Sequence, residues 1–165
     1  MTDSHAGVTL ETARWQHDRR RIESVRRAVF IEEQGIPEHE EWDDSDPVCW
    51  HVLALGPNRD VVGTGRLDPA GKIGRVAVLP QYRGTGVGAA IVSHLVGLAG
   101  EQGLAQVHLN AQSSALGFYE RLGFRADGPE FDEVGIPHRR MRQRIEKTDE
   151  QQVGRDGNTE HPVEP

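Results

Sequence analysis

Three glycines at alternate positions behind an arginine, Arg83-Gly84-Thr85-Gly86-Val87-Gly88, are the residues of this chain best suited to hold an anion. They follow an apolar run, Val76-Ala77-Val78-Leu79-Pro80, and lead into a segment of helical spacing, so they fall where a strand turns into a helix. The first N–H groups of a helix lack intrahelical acceptors and lie at the positive end of its dipole. Glycine lets a phosphate approach that backbone with no Cβ in the way, and Arg83 adds a charge-assisted donor. A tight turn alone needs fewer glycines, so the reading is a phosphate-bearing ligand.

The Gly-Lys-Ser/Thr of nucleotide triphosphatases is absent. Gly84-x-Gly86-x-x-Ala89 fits a relaxed dinucleotide fingerprint, which is the rival and would make the chain an oxidoreductase. That fingerprint belongs after the first strand of a parallel unit, whereas an antiparallel meander precedes it here. The next strand, Val107 to Asn110, also ends without the acid that would hold a ribose.

The elements that must position the loop follow from pattern. Val8 to Arg14 alternates as a strand, and Asp18 to about Gln34 has helical spacing, with Ile22, Val25, Val29 and Phe30 on one face. Gly35 and Pro37 stop that helix. Trp50 to Leu55, Val61 to Leu67 and Ile73 to Val78 read as three strands joined by Gly56–Asp60 and Asp68–Gly71, an antiparallel meander. The helix behind the glycines runs to about Leu98. Val107 to Asn110 is a short strand, and a helix capped by Ser113 or Ser114 ends near Leu122, before Gly123. Strands are expected around Phe124 to Ala126 and Arg139 to Ile145. After Glu146 apolar residues nearly vanish, so the organisation expected is one domain over residues 1–146 and a disordered acidic tail over 147–165.

Composition narrows the function. A net charge of -7 disfavours nucleic acid, and no apolar run approaches the roughly 20 residues of a membrane span. The first residues carry no secretory signal. Cys49 is the only cysteine, and none of the eight histidines are spaced three or four apart, so no metal site is expected. A cytoplasmic protein is the expectation.

Two motifs together resemble the GNAT superfamily of N-acetyltransferases. Arg83-x-x-Gly86-x-Gly88 is similar to its pyrophosphate signature, and Phe118-Tyr119-Glu120-Arg121-Leu122-Gly123-Phe124 to its tyrosine-bearing helix and following turn. Val29-Phe30-Ile31-Glu32-Glu33-Gln34 and Glu133-Val134-Gly135-Ile136-Pro137-His138-Arg139-Arg140-Met141 resemble the ElaA- and YjcF-type branch. The resemblance covers roughly Val8 to Ile145 and implies an α/β fold with a mixed, mostly antiparallel central sheet flanked by helices. It implies acetyl-CoA as co-substrate, no metal, and transfer of the acetyl group to a primary amine by direct attack on the thioester.

Residue by residue, the resemblance implies that Val76, Ala77 and Val78 pair with the pantetheine arm and that an N–H near Val78 polarises the thioester carbonyl. Gly84, Thr85, Gly86, Val87 and Gly88 would hold the pyrophosphate with Arg83. Tyr119 would protonate the departing thiolate, although beside Leu116 and Phe118 it also suits an apolar helix face. Gln112 stands where many relatives have asparagine, and the strands lack the glutamate base several relatives carry. Glu33, Glu133, His108 and His138 are the candidate bases, with Glu33 and His138 put first as residues facing the acceptor.

Eight acids, Glu32, Glu33, Glu38, Glu40, Glu41, Asp43, Asp44 and Asp46, crowd a stretch in which no Lys or Arg occurs from Ala28 to Asn58. They read either as a solvated loop or as a funnel for a cationic amine. A homodimer is compatible with the sequence. A non-catalytic acyl-CoA sensor is the remaining alternative.

Overall fold

The computed structural model describes residues 4–5 and 7–146; the expected disordered tail, 147–165, lies outside the described residues. Alternation puts Val8 and Leu10 inside and Thr9 outside along β2 (Val8–Ala13). It pairs with β3 (Trp50–Leu55), which continues through β4 (Val61–Leu67) and β5 (Ile73–Val78) as the expected antiparallel meander. With β1 (Ser4–His5) on the outer edge, the first sheet has the order β1-β2-β3-β4-β5.

The second sheet follows a long helix, α3 (Val87–Glu101). Its strands are β6 (Gln106–Gln112), β7 (Arg125–Ala126), β8 (Phe131–Glu133) and β9 (Ile136–Arg144). Its order is β6-β9-β7, and β8 also pairs with β9. Every ladder is antiparallel, and one parallel bridge, Lys72 with His108, joins the two sheets. The fold is the expected mixed, mostly antiparallel sheet flanked by helices.

α3 lays Val87, Ile91 and Leu95 against Val52, Val62, Leu67, Val107 and Leu109, which form the main core. Gly63 and Gly65 of β4 permit the contact, because a Cβ on either would lie 2.9 or 2.8 Å from Ile91. On the opposite face, α1 (Trp15–Arg26) buries Ile22 against Leu53 and Leu55, and its continuation buries Val29 and Phe30 against Ala77.

Several local readings change, among them the cap of the fourth helix, which follows a 3-10 turn over Ser113–Ala115 and has no side-chain cap. The first helix is α-helical only to Arg26 and widens to a π-helix over Arg27–Glu33 before Gly35, at φ 74°, ends it. β9 begins at Ile136 rather than Arg139, because β8 supplies a partner for its first residues. β5 is not a regular strand. Thr64 pairs with Ala77 and Arg66 with Gly74, so Arg75 and Val76 together face Gly65 in a bulge. The remaining α-helices, α2 (Glu38–Glu41) and α4 (Leu116–Arg121), are short.

Candidate active site

β5 and β6 touch at one end only. Gly71 O accepts the His108 N–H at 3.0 Å beside the Lys72–His108 bridge. Gly71 takes φ 95° there, and a Cβ would lie 2.8 Å from Gln106 O. Beyond this point β5 pairs only with β4 and β6 only with β9, so the sheets open into a cleft of about 460 Å³. Val76, Ala77, Val78, Arg83, Gly88, Gln112, Tyr119 and His138 all line it. A roomier groove of about 1090 Å³, between the end of α3 and β9, contains none of the predicted site residues. Size alone therefore does not locate the chemistry.

The glycine turn behaves as its composition demands. Gly84 and Gly86 take φ 79° and 92°, which lets the chain reverse and start α3 at Val87 with no side-chain cap. Gly84, Thr85, Gly86 and Val87 form the turn itself, between the lining residues Arg83 and Gly88. The Thr85 hydroxyl donates to Tyr82 O at 2.6 Å, so it stiffens the turn. Arg83 donates from Nε to Val78 O at 2.8 Å and grips Glu33 with both terminal nitrogens at 2.7 and 2.6 Å. Its hydrogen bonds hold the Glu33 carboxyl below the usual carboxylate range. Glu33 is thus paired with Arg83 as a carboxylate, which makes it a weak base.

Tyr119 projects from α4, edge-on to Phe118 and Phe124 with ring centroids 4.9 and 5.9 Å away. The ring packs on the core while the residue lines the cleft. Burial pushes the phenol up to about 12, so it stays protonated at neutral pH.

His138 of β9 is 5% exposed, and its Nδ1 lies 2.7 Å from Ile136 O. A carbonyl can only accept, so Nδ1 carries a hydrogen and Nε2 is the ring nitrogen left to take up a proton. Nε2 is 3.9 Å from Glu133 Oε2, and Asn110 Nδ2 donates to Glu133 Oε1 at 3.1 Å. Sequence reasoning included Glu133 but missed Asn110, whose only signal was a polar side chain on a buried strand. Gln112 pairs across the ladder with His138 and reaches Gln34 Oε1 at 3.5 Å. His108 sits at the closed end, and burial lowers its pKa.

The acidic segment is largely ion-paired. Glu38 pairs with Arg27, Glu41 with Arg26 and Arg75, Asp43 with Arg66 and Arg75, and Asp46 with Arg26 and Arg66. With Glu33 on Arg83, five of the eight acids are neutralised by arginines distant in sequence, which removes most of the field a cation would feel. Arg26, Glu41 and Asp46 are almost fully buried. Burial also pushes the Cys49 thiol up to about 11, so it is unreactive.

Among the described residues no cluster of three metal-ligating side chains occurs, and no helix is long and apolar enough to cross a membrane. What remains is a cleft walled by free strand edge, with a glycine turn at a helix start, a neutral phenol and an imidazole.

Comparison with known proteins agrees with that arrangement. The family described as acetyltransferase (GNAT) domain matches residues 49–145. An uncharacterized Bacillus subtilis (strain 168) protein, YyaT, is 41% identical over 129 residues, covering 74% of this chain and 86% of its own length. The uncharacterized N-acetyltransferase YjcF of the same strain is 37% identical over 121 residues, covering 71% and 86%. The crystal structure of Escherichia coli ElaA superposes with a TM-score of 0.74 at 26% identity, over 81% of this chain and 98% of that one.

Proposed function

The chain belongs to the GNAT family, in its ElaA/YjcF-like branch, and is an acyltransferase; from that premise we propose that it moves the acetyl group of acetyl-CoA to a primary amine by direct attack on the thioester. The observation that carries this reading is the cleft between β5 and β6, with its free β5 edge beside the glycine turn.

In this reading the turn from Arg83 to Gly88 receives the pyrophosphate on the first N–H groups of α3. Arg83 acts chiefly by bracing the turn through Val78 O and Glu33. Val76, Ala77 and Val78 offer backbone partners to the pantetheine arm, and an N–H near Val78 stabilises the oxyanion formed as the amine adds to the thioester carbon. His138 Nε2 takes the proton the amine loses, with Asn110 and Glu133 fixing the carboxylate near the imidazolium. When the C–S bond breaks, Tyr119 gives its proton to the leaving thiolate, a role suited to a phenol that burial keeps neutral. Gln112 helps orient the arm beside His138.

The ion pairing of the acidic segment withdraws support for a preference for cationic amines. We further assign the catalytic domain to residues 1–146, residues 147–165 to a tail outside it, and the protein to the cytoplasm, where a lone buried thiol is at home.

Thiol release from acetyl-CoA, followed across a panel of neutral, cationic and anionic amines, tests the function. Amine-dependent release with a product heavier by one acetyl group is the expected result. Tight acetyl-CoA binding without turnover on any amine would instead identify a sensor, and tighter binding of a nicotinamide dinucleotide would overturn the donor.

A further inference from the structure

We propose that Arg75 is a positioning residue: its side chain, drawn onto Glu41 and Asp43, holds β5 in the bulge that parts it from β6, and so shapes the backbone edge against which the thioester lies. The inference rests on the reading of the cleft as an acyl-CoA site.

Arg75 occupies the first position of the bulge at φ 52°. Bulges with a left-handed first residue normally place glycine there, because a Cβ disfavours that conformation. A glycine is available one residue earlier, yet Gly74 is not the residue with positive φ, and the space where its Cβ would stand is open. The chain has put a left-handed backbone conformation on an arginine. Something must hold it there.

The side chain supplies the hold. Arg75 Nη2 donates to Glu41 O at 2.9 Å and lies 3.4 Å from Asp43 Oδ2, and Nε lies 3.2 Å from Glu41 Oε2. The anchors are themselves fixed. Arg26 donates to Glu41 at 2.7 Å, and Arg66 grips Asp43 with both terminal nitrogens at 2.9 and 2.8 Å. Arg66 is the β4 residue registered with Gly74, so Asp43 ties the strand on either side of the bulge to one carboxylate. Three arginines, Arg26, Arg66 and Arg75, balance three acids, Glu41, Asp43 and Asp46, and the half-buried cluster carries no net charge.

The bulge also changes which side each residue faces. In a regular strand Ile73, Arg75 and Ala77 would share a face. Here Ile73 packs with Val76 and Val78 in the core under α3, while Ala77 turns to Val25, Val29 and Phe30 on the opposite side. The turnover takes place between the Lys72–His108 bridge and the stretch Val76–Val78 that lines the cleft. The acidic segment thereby acquires a use beyond charge: it is the anchor for the strand edge.

Arg75→Ala and Arg75→Gly remove the same ion pairs and differ only in how readily residue 75 keeps a positive φ. Both are compared with wild type for kcat of amine acetylation, with coenzyme A affinity read by calorimetry. Arg75→Ala is expected to lower kcat about tenfold, the scale set by the cost of a left-handed residue. Arg75→Gly is expected to restore most of that loss, and in both coenzyme A affinity should change much less than kcat, because the glycine turn lies outside the bulge. Asp43→Asn should lower kcat in the wild-type background and change it little in Arg75→Gly, where the anchor is no longer needed. If Arg75→Ala does not fold, that second comparison decides alone. Equal impairment by alanine and glycine, or glycine the worse of the two, overturns the proposal, as does an equal effect of Asp43→Asn in both backgrounds. A wild-type protein that binds no acetyl-CoA overturns the reading of the cleft itself.

Discussion

Tyr119 brings to the cleft a phenol that burial has made a weaker acid, and a weaker acid is also a stronger base once it has lost its proton. Tyr119→Phe keeps the ring that Phe118 and Phe124 contact, so acetyl-CoA affinity should hold while kcat falls about a hundredfold or more. Steady-state kinetics beside calorimetry checks the split. In an absorbance titration, the step the substitution removes should lie near pH 12 rather than the ordinary 10. The folded value is raised, so the stability gained from keeping Tyr119 neutral is complete below about pH 10 and is lost as pH climbs towards 12. The glycine turn was legible because residue type and spacing define it, whereas Tyr119 was marked only by the family resemblance. His138 was a candidate through the same resemblance, but which of its nitrogens is free was not legible, since that is decided by Ile136 O, a backbone atom that only the fold brings to the ring.

At the scale of elements, the meander was legible because its turns carry glycine, proline and aspartate in the expected places. The bulge was not. Its left-handed residue is Arg75, which carries none of the usual signal, and β8 was hidden for a similar reason. The two residues between β8 and β9 are Val134 and Gly135, and Val134 takes φ 46°, a conformation no one assigns to a β-branched residue from sequence. The π-helical turn was equally silent, since Val29 and Phe30 have the same apolar spacing either way. What glycine does contribute to the meander is proximity. At Gly65 a Cβ would stand 2.8 Å from Ile91 Cγ2 and 3.0 Å from Leu95 Cδ1. Gly65→Val should therefore lift α3 from the sheet and destabilise the protein by about 1–3 kcal/mol in urea unfolding. Coenzyme A affinity should fall with it, because α3 carries the glycine turn at its start.

Over the whole molecule, the count of acids was visible in the sequence and their partners were not. Arg26, Arg66 and Arg75 come from three different elements and meet the acidic segment only in the fold. Arg26 lies 0% exposed between Glu41 and Asp46, so Arg26→Met leaves two buried carboxylates short of a partner. A loss of about 3 kcal/mol or more is expected from the denaturation midpoint. The way the two sheets meet has a wider consequence. Lys72 and His108 form a single bridge between them, and α3 spans the rest, so the molecule is built like a peg hinged at one end. On the proposed function, an acyl-CoA arm lying along β5 in that gap takes the place of an absent strand. The donor is then part of the architecture as well as the chemistry, and every turnover takes out a structural member and puts it back.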